Sequence, residues 1–220
     1  MYKMEDLYDL SHTITADYLK QFEYPWQALN EIKDLVVELG NKLDKNEYIQ
    51  VKPTVWIHKT ADVMESAYLG EYIIIGEKTQ VRHCAFLRGP AIIGKECVVG
   101  NSCELKNVII FDNSEVPHYN YVGDSILGFH AHMGAGSITS NIKSDRKNIV
   151  VKYKDEKIET GLRKIGAMIG DYGEIGCNSV LNPGTVIGRH SNVYPTSCVR
   201  GVVEENSIFK NNGEIVHKHD

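Results

Sequence analysis

From Ile57 onward an aliphatic or aromatic residue recurs at every sixth position, as Ile57, Val63, Leu69, Ile75, Val81, Leu87, Ile93, Val99, Leu105 and Phe111. Four residues after each of these the side chain is usually small, as at Ala61, Ala67, Thr79, Ala85, Ala91, Cys97 and Cys103, with Ile73, Ile109 and Glu115 as exceptions. Glycine often follows the large residue directly (Gly70, Gly76, Gly94, Gly100). After units at Leu127 and Met133 the register returns as Ile169, Ile175, Leu181, Ile187, Val193 and Val199. A period of six matches neither a helix of 3.6 residues per turn nor simple strand alternation, but it fits a solenoid whose coil has three short strands and three corners. Each coil then takes roughly 18 residues, and the large and small positions both point into a three-sided column. Glycine after the bulky residue suits a corner with an unusual backbone angle. The pattern predicts a mainly β chain, a left-handed parallel β-helix of hexapeptide repeats. A β-sandwich would instead need turn signals every roughly 8–12 residues.

Residues 1–50 follow a different rhythm. Ser11 and Thr13 precede a short helical stretch from Ala16 to Phe22, and Pro25 opens a segment in which Trp26, Leu29, Ile32, Leu35, Val36 and Leu39 share one helical stripe ended by Gly40. A solenoid end is an open sheet edge, so these helices are expected to cap it. The β-helix is expected over 51–210, with 211–220 as a C-terminal tail. Residues 139–168 interrupt the repeat. Asn148 to Tyr153, a polar Lys154-Asp155-Glu156 tip and Lys157 to Thr160 predict a protruding β-hairpin.

Composition narrows the function. The 220 residues are 42% hydrophobic with a formal charge of −5, and acidic and basic residues are interspersed, which argues against nucleic acid or a membrane surface as partner. Apolar runs such as Val108 to Phe111 are too short to span a bilayer, and the charged N-terminus is unlike a signal peptide, so a cytoplasmic protein is expected. The five cysteines form no C-x-x-C pair or zinc-like spacing and read as structural thiols, with no metal site expected.

Three polar stretches exceed what a β-helix needs for folding: Gly100 to Lys106 (GNSCELK), Val116 to Asp124 (VPHYNYVGD) and Gly134 to Asn141 (GAGSITSN). Through them the chain, from about Arg88 to Lys210, resembles the C-terminal acetyltransferase domain of the bifunctional enzymes that join glucosamine-1-phosphate N-acetyltransferase to UDP-N-acetylglucosamine pyrophosphorylase. The uridylyltransferase half of that family is a separate nucleotide-binding domain, which the 50 residues before the repeat are too few to hold, so no uridylyl transfer is expected. Independently of the resemblance, Arg88 and Lys106 follow Leu87 and Leu105 one coil apart, which stacks two cations on one edge of the prism. Such a pair invites an anion between them.

The resemblance implies acetyl-CoA as cosubstrate, an amino sugar or its phosphate as acceptor, and a homotrimer with the coenzyme in a groove between prisms. It implies His118 as the general base, a task suited to imidazole because its ordinary pKa of about 6.5 lies near working pH. It implies Arg88, Lys106, Tyr121, His132 and Lys147 on the sugar side, and Ala135, Asn141, Cys177, Pro195 and Lys210 along the coenzyme. The chain departs from the family pattern at three places: His132 replaces an asparagine, Cys177 a serine, and Ile142, after Asn141, a tyrosine. Two other readings of the same fold stay open. One is a non-catalytic β-helix that binds a sugar nucleotide or a partner protein. The other is a metal-dependent lyase of the γ-carbonic anhydrase type, suggested by His83, His118, His130 and His132, whose spacings do not reproduce that family's pattern.

Overall fold

A computed structural model describes residues 1–218 as a left-handed parallel β-helix of about nine coils. Each coil contributes a short strand to each of three faces. The first face begins Val55–His58, Ile73–Ile75, Ala91–Ile93. The second begins Asp62–Val63, Gln80–Val81, Val98–Asn101, and the third Tyr68–Leu69, Phe86–Leu87. Equivalent residues lie in parallel register one coil apart: Ile57 pairs with Ile75, Val63 with Val81 and Leu69 with Leu87, each eighteen residues on. The inward aliphatic side chains form one continuous column from Val55 to Phe209.

The sixfold register does not run unbroken to Phe111. Leu105 pairs with Leu87, but Ile110 pairs with Ile93, so one residue is lost at the corner after Lys106. The next coil is seventeen residues long, pairing Leu105 with Val122 and Ile110 with Leu127. The slip removes two of the three exceptions in the sequence pattern. The small inward positions become Val108 and Ser114, both fully buried, and Glu115 turns out to solvent. Phe111 lies outside the column, buried against Tyr8 with ring centroids 5.2 Å apart.

The glycines also have a different reason from the expected one. Gly70, Gly76, Gly94 and Gly100 do not have positive φ; a Cβ at Gly100 would fall on the carbonyl oxygen of Pro117 in the next coil, and one at Gly76 on that of Gly94. Coils separated by roughly 4.8 Å leave no room there for a side chain. The left-handed backbone at the corners is taken instead by other residues, among them Lys78, Ser102, Tyr119 and His130, with φ between 52° and 55°.

The N-terminal helices lie along the first face and do not cap the end of the column. Outward side chains of that face are apolar from coil to coil (Trp56, Ile74, Ile92, Ile109, Ile126, Met168, Val186), and all are buried beneath Met4, Leu7, Trp26, Leu29, Ile32, Leu35 and Val36. The expected stripe is split at Glu31 into a 3-10 turn, Pro25–Asn30, and an α-helix, Ile32–Gly40. Gly40 is where the helix meets the indole of Trp56 with no space for a Cβ. The sheet edges at the ends of the column are covered by antiparallel strands, Tyr48–Lys52 on the first face and Ile215–His217 on the second.

The inserted segment forms the hairpin Val150–Tyr153 with Glu156–Glu159. It does not project freely: Ile149 and Val151 are buried with the helical cover, Tyr153 bonds Glu204 at 2.8 Å, and the N-terminal ammonium pairs with Glu156 at 2.7 Å. The tail expected over 211–220 contains the strand Ile215–His217, and its last two residues lie outside those described.

Phe111 tests this register directly. Phe111→Ala should lower the unfolding free energy by about 3–5 kcal/mol by opening a cavity between helices and column, measured by urea denaturation. A loss well below about 1 kcal/mol would show that the ring is not packed there.

Candidate active site

The corner between the second and third faces presents His118. Pro117 is buried above Gly100, Tyr119 turns the chain in the left-handed conformation, and Asn120 takes the small inward position below the corner. The buried carboxamide of Asn120 fixes the turn: its Oδ1 accepts the His118 N–H at 3.0 Å, and its Nδ2 donates to the carbonyls of Gly134 at 2.8 Å and Ser137 at 3.0 Å. The N–H of Gly136 donates to the His118 carbonyl at 2.9 Å. With its backbone held on both sides, the imidazole stands exposed. It lies within the seventeen-residue coil, over Asn101 of the coil before, and the slip itself falls one face earlier.

The same corner repeats up the column. Asn178 N–H donates to the Ala135 carbonyl and Thr196 N–H to that of Cys177, which stacks His118, Ala135, Cys177 and Pro195 in one row. Lys210 continues this edge, because Val193 pairs with Phe209 and so Tyr194 with Lys210; its ammonium pairs with Glu214 at 3.2 Å. A groove of about 460 Å³ beside the row is lined by His132, Cys177, Tyr194 and Pro195 among others.

A second polar cluster occupies the opposite edge of the third face, where that face turns into the first. Asp124, only 3% exposed, accepts Lys106 Nζ at 2.8 and 3.0 Å, Asn107 Nδ2 at 2.9 Å and Asn141 Nδ2 at 2.5 Å. The same Asn141 Nδ2 donates to Tyr121 Oη at 3.1 Å, and Asn107 Nδ2 also reaches the Leu29 carbonyl of the helical cover at 3.1 Å. Burial, with the carboxylates of Asp124 and Glu104 nearby, pushes the Tyr121 phenol above its ordinary pKa. The Cα atoms of His118 and Tyr121, three residues apart, are separated by no more than about 11 Å.

The residues singled out from sequence therefore fall into two groups on one chain. Arg88, Lys106, Tyr121 and Asn141 gather at the third–first edge; His118, Ala135, Cys177, Pro195 and Lys210 share the second–third edge. His132 belongs with the second group. It points outward from the second face between Glu174, at 3.1 Å, and Glu115, at 4.0 Å. Asn141, matched to the coenzyme by resemblance, lies with the sugar-side residues. Lys147 joins neither group; it is exposed in the inserted segment, with its N–H on Asp145.

Stacking alone predicts an anion between Arg88 and Lys106. Each instead has a carboxylate of its own chain, Arg88 with Glu104 at 2.9 Å and Lys106 with Asp124. The reason is steric placement: Glu104 points out beside Arg88 on the third face, and Asp124 stands one coil above Lys106. Asp124, Asn120 and Glu104 lie in the motif stretches without a pattern of their own, except that an acid eighteen residues after a corner lysine is a signal for Asp124.

Of the four histidines considered for zinc, His83 and His118 stand on the second–third edge, His130 on the first–second corner and His132 on the second face. Among the described residues no three histidine, cysteine or acidic side chains converge as metal ligands, and no helix is long and apolar enough to cross a membrane.

No protein-family model matches the chain. Among curated proteins it is 30% identical over 189 residues to a bifunctional sugar-1-phosphate nucleotidylyltransferase/acetyltransferase of Sulfurisphaera tokodaii, covering 84% of this chain and 47% of the relative. It is 30% identical over 205 residues to the bifunctional protein GlmU of Methanococcus aeolicus, covering 91% and 49%. The chain is thus similar to the acetyltransferase part of bifunctional nucleotidylyltransferase/acetyltransferases. It spans about half the length of the curated relatives it matches, corresponding to their C-terminal acetyltransferase part. A mutant perosamine N-acetyltransferase from Caulobacter crescentus, solved with CoA and GDP-perosamine, is similar at TM-score 0.35 and 16% identity over 76% of this chain and 57% of that one, too loosely to argue from.

The cysteines, expected as structural thiols, divide by position. Cys97 and Cys103 fill inward positions, and burial pushes the Cys97 thiol up to about 12 and that of Cys103 above its usual value; Cys84, Cys177 and Cys198 are exposed. Titration of the folded protein with a disulfide reagent at about pH 8 should therefore modify the three exposed thiols quickly and the other two only after denaturation. Rapid reaction of all five would contradict the placement of Cys97 and Cys103.

Proposed function

We propose that this protein transfers the acetyl group of acetyl-CoA to the amine of an amino sugar, carried as a phosphate or linked to a nucleotide. The observation that carries the reading is the position of His118, exposed on one edge of the third face while the opposite edge holds the Lys106–Asp124–Asn141–Tyr121 cluster. A β-helix needs neither for its stability. The acetyltransferase relatives supply the reaction class.

In this reading the imidazole of His118 takes a proton from the amine as its nitrogen attacks the thioester carbonyl. The C–N bond forms, the C–S bond breaks, and the departing thiolate takes up a proton, giving the acetamide and free CoA. Tyr121, Arg88 and Lys106 face the acceptor. The Arg88–Glu104 pair is solvent-exposed and worth little, so Arg88 can exchange Glu104 for a phosphate. The row Ala135, Cys177, Pro195 and Lys210, with the adjoining groove, is assigned to the coenzyme.

One chain carries the two groups on different edges, which favours a site completed between copies. The helices already cover the first face, leaving the second and third free to meet neighbours in a homotrimer.

Incubation with acetyl-CoA and a panel including glucosamine-1-phosphate and nucleotide-linked amino sugars should release free thiol. His118→Ala should slow release by about 10²–10⁴-fold while coenzyme binding persists. A protein that neither binds acetyl-CoA nor releases thiol with any of these amines would refute the assignment.

A further inference from the structure

We propose that Asp124 is the positioning residue of this site, setting Lys106, Asn141 and Tyr121 to face the acceptor; the proposal rests on the acetyl-transfer reading. Its carboxylate is 3% exposed and receives four hydrogen bonds from three side chains, two on each oxygen. A ligand cannot reach a carboxylate enclosed in this way. Whatever Asp124 contributes passes through its partners.

Those partners are left with a defined set of outward functions. Lys106 spends two of its three ammonium protons on Asp124 and keeps one, on a side chain 22% exposed. The two amide protons of Asn141 go to Asp124 and to Tyr121 Oη, so its carbonyl remains as an acceptor. Tyr121 accepts from Asn141, and its own O–H stays free to donate. One cationic donor, one phenolic donor and one amide acceptor suit the hydroxyl-bearing face of a sugar. Asn107, bonded both to Asp124 and to the Leu29 carbonyl, braces the carboxylate against the helical cover.

The backbone is arranged for the same end. Asp124 sits at a corner in the left-handed conformation, φ 49°, which aspartate tolerates better than most residues. Gly123 before it leaves the space that the Tyr121 hydroxyl occupies. Placing Asn141 on the acceptor side also separates this proposal from the coenzyme role that resemblance suggests for it.

The test compares Asp124→Asn, Lys106→Met, their double variant and Asn141→Ala, after confirming cooperative melting of each. Lys106 labelling by a water-soluble acetylating ester, followed by mass spectrometry against the other lysines, should be about tenfold faster in Asp124→Asn than in the wild type. The acceptor KM should rise about 10- to 100-fold in Asp124→Asn, the loss of charge-assisted bonds, with the acetyl-CoA KM within about twofold. In the Lys106→Met background the same substitution should cost much less than in the wild type, because the residues act as a unit. Asn141→Ala should move the acceptor KM in the same direction, and it serves alone if Asp124→Asn does not fold. Unchanged labelling, an unchanged acceptor KM, full additivity with Lys106→Met, or an Asn141→Ala effect confined to acetyl-CoA would each overturn the proposal. A wild-type protein inactive with every amine would sink the acetyl-transfer reading, and the labelling alone would then decide whether Asp124 holds Lys106.

Discussion

Everything in this molecule depends on coils stacking at strand separation. At roughly 4.8 Å between backbones, each residue must lie over its equivalent in the coil below, and the inward column admits only side chains that fit beneath the next. Aliphatic residues at most large positions and mainly Ala, Ser, Thr or Cys at the small ones satisfy that requirement, with Ile73 and Val108 as larger exceptions. Polar residues at the small position are accepted because each meets a backbone partner: Ser114 Oγ donates to the Gly128 carbonyl, and Asn120 to those of Gly134 and Ser137. A misplaced residue would shift every face above it. Length changes are therefore confined to corners, as in the seventeen-residue coil, or expelled as a separate element, as in the hairpin.

The same constraint makes the site. Corners are where the chain leaves the strand register, so a corner side chain can stand in solvent, as His118 does, or be enclosed by its neighbours, as Asp124 is, while the backbone stays pinned to neighbouring coils. His118 is pinned through Asn120 and Gly136, and Asp124 through its own four side-chain bonds. Rows of equivalent corner positions then run straight up each edge, so residues far apart in sequence, such as His118 and Pro195, share one line. The loss of one residue after Lys106 places Asn107 and Asp124 at equivalent left-handed corners, which lets the two side chains bond.

The helical cover decides which surfaces remain for function. It buries the outward apolar side chains of the first face. It also touches the site directly, since the Leu29 carbonyl holds Asn107. The two polar clusters stand on the two edges of the third face.

The sequence by itself determined the column: the six-residue period, the large and small alternation and the interruption at 139–168 are consequences of stacking, which is local and repeated, and so they are written residue by residue. It also marked Lys106, by its one-coil spacing from Arg88, and His118 and Tyr121, through motif stretches that resemble a known acetyltransferase family. Only the tertiary structure decided the rest. The slip that moves Phe111 out of the column is one missing residue among aliphatic neighbours, and Val108 to Phe111 offers no choice of inward side chain until the coils below are in place. The helices lie along a face and not over an end because Trp56, Ile74 and Ile92 point outward, a direction that a run of isoleucines cannot state. Asp124 between Lys106 and Asn141 depends on three separate coils meeting at one edge, and the eighteen-residue spacing from Lys106 gains its meaning only once those coils are stacked.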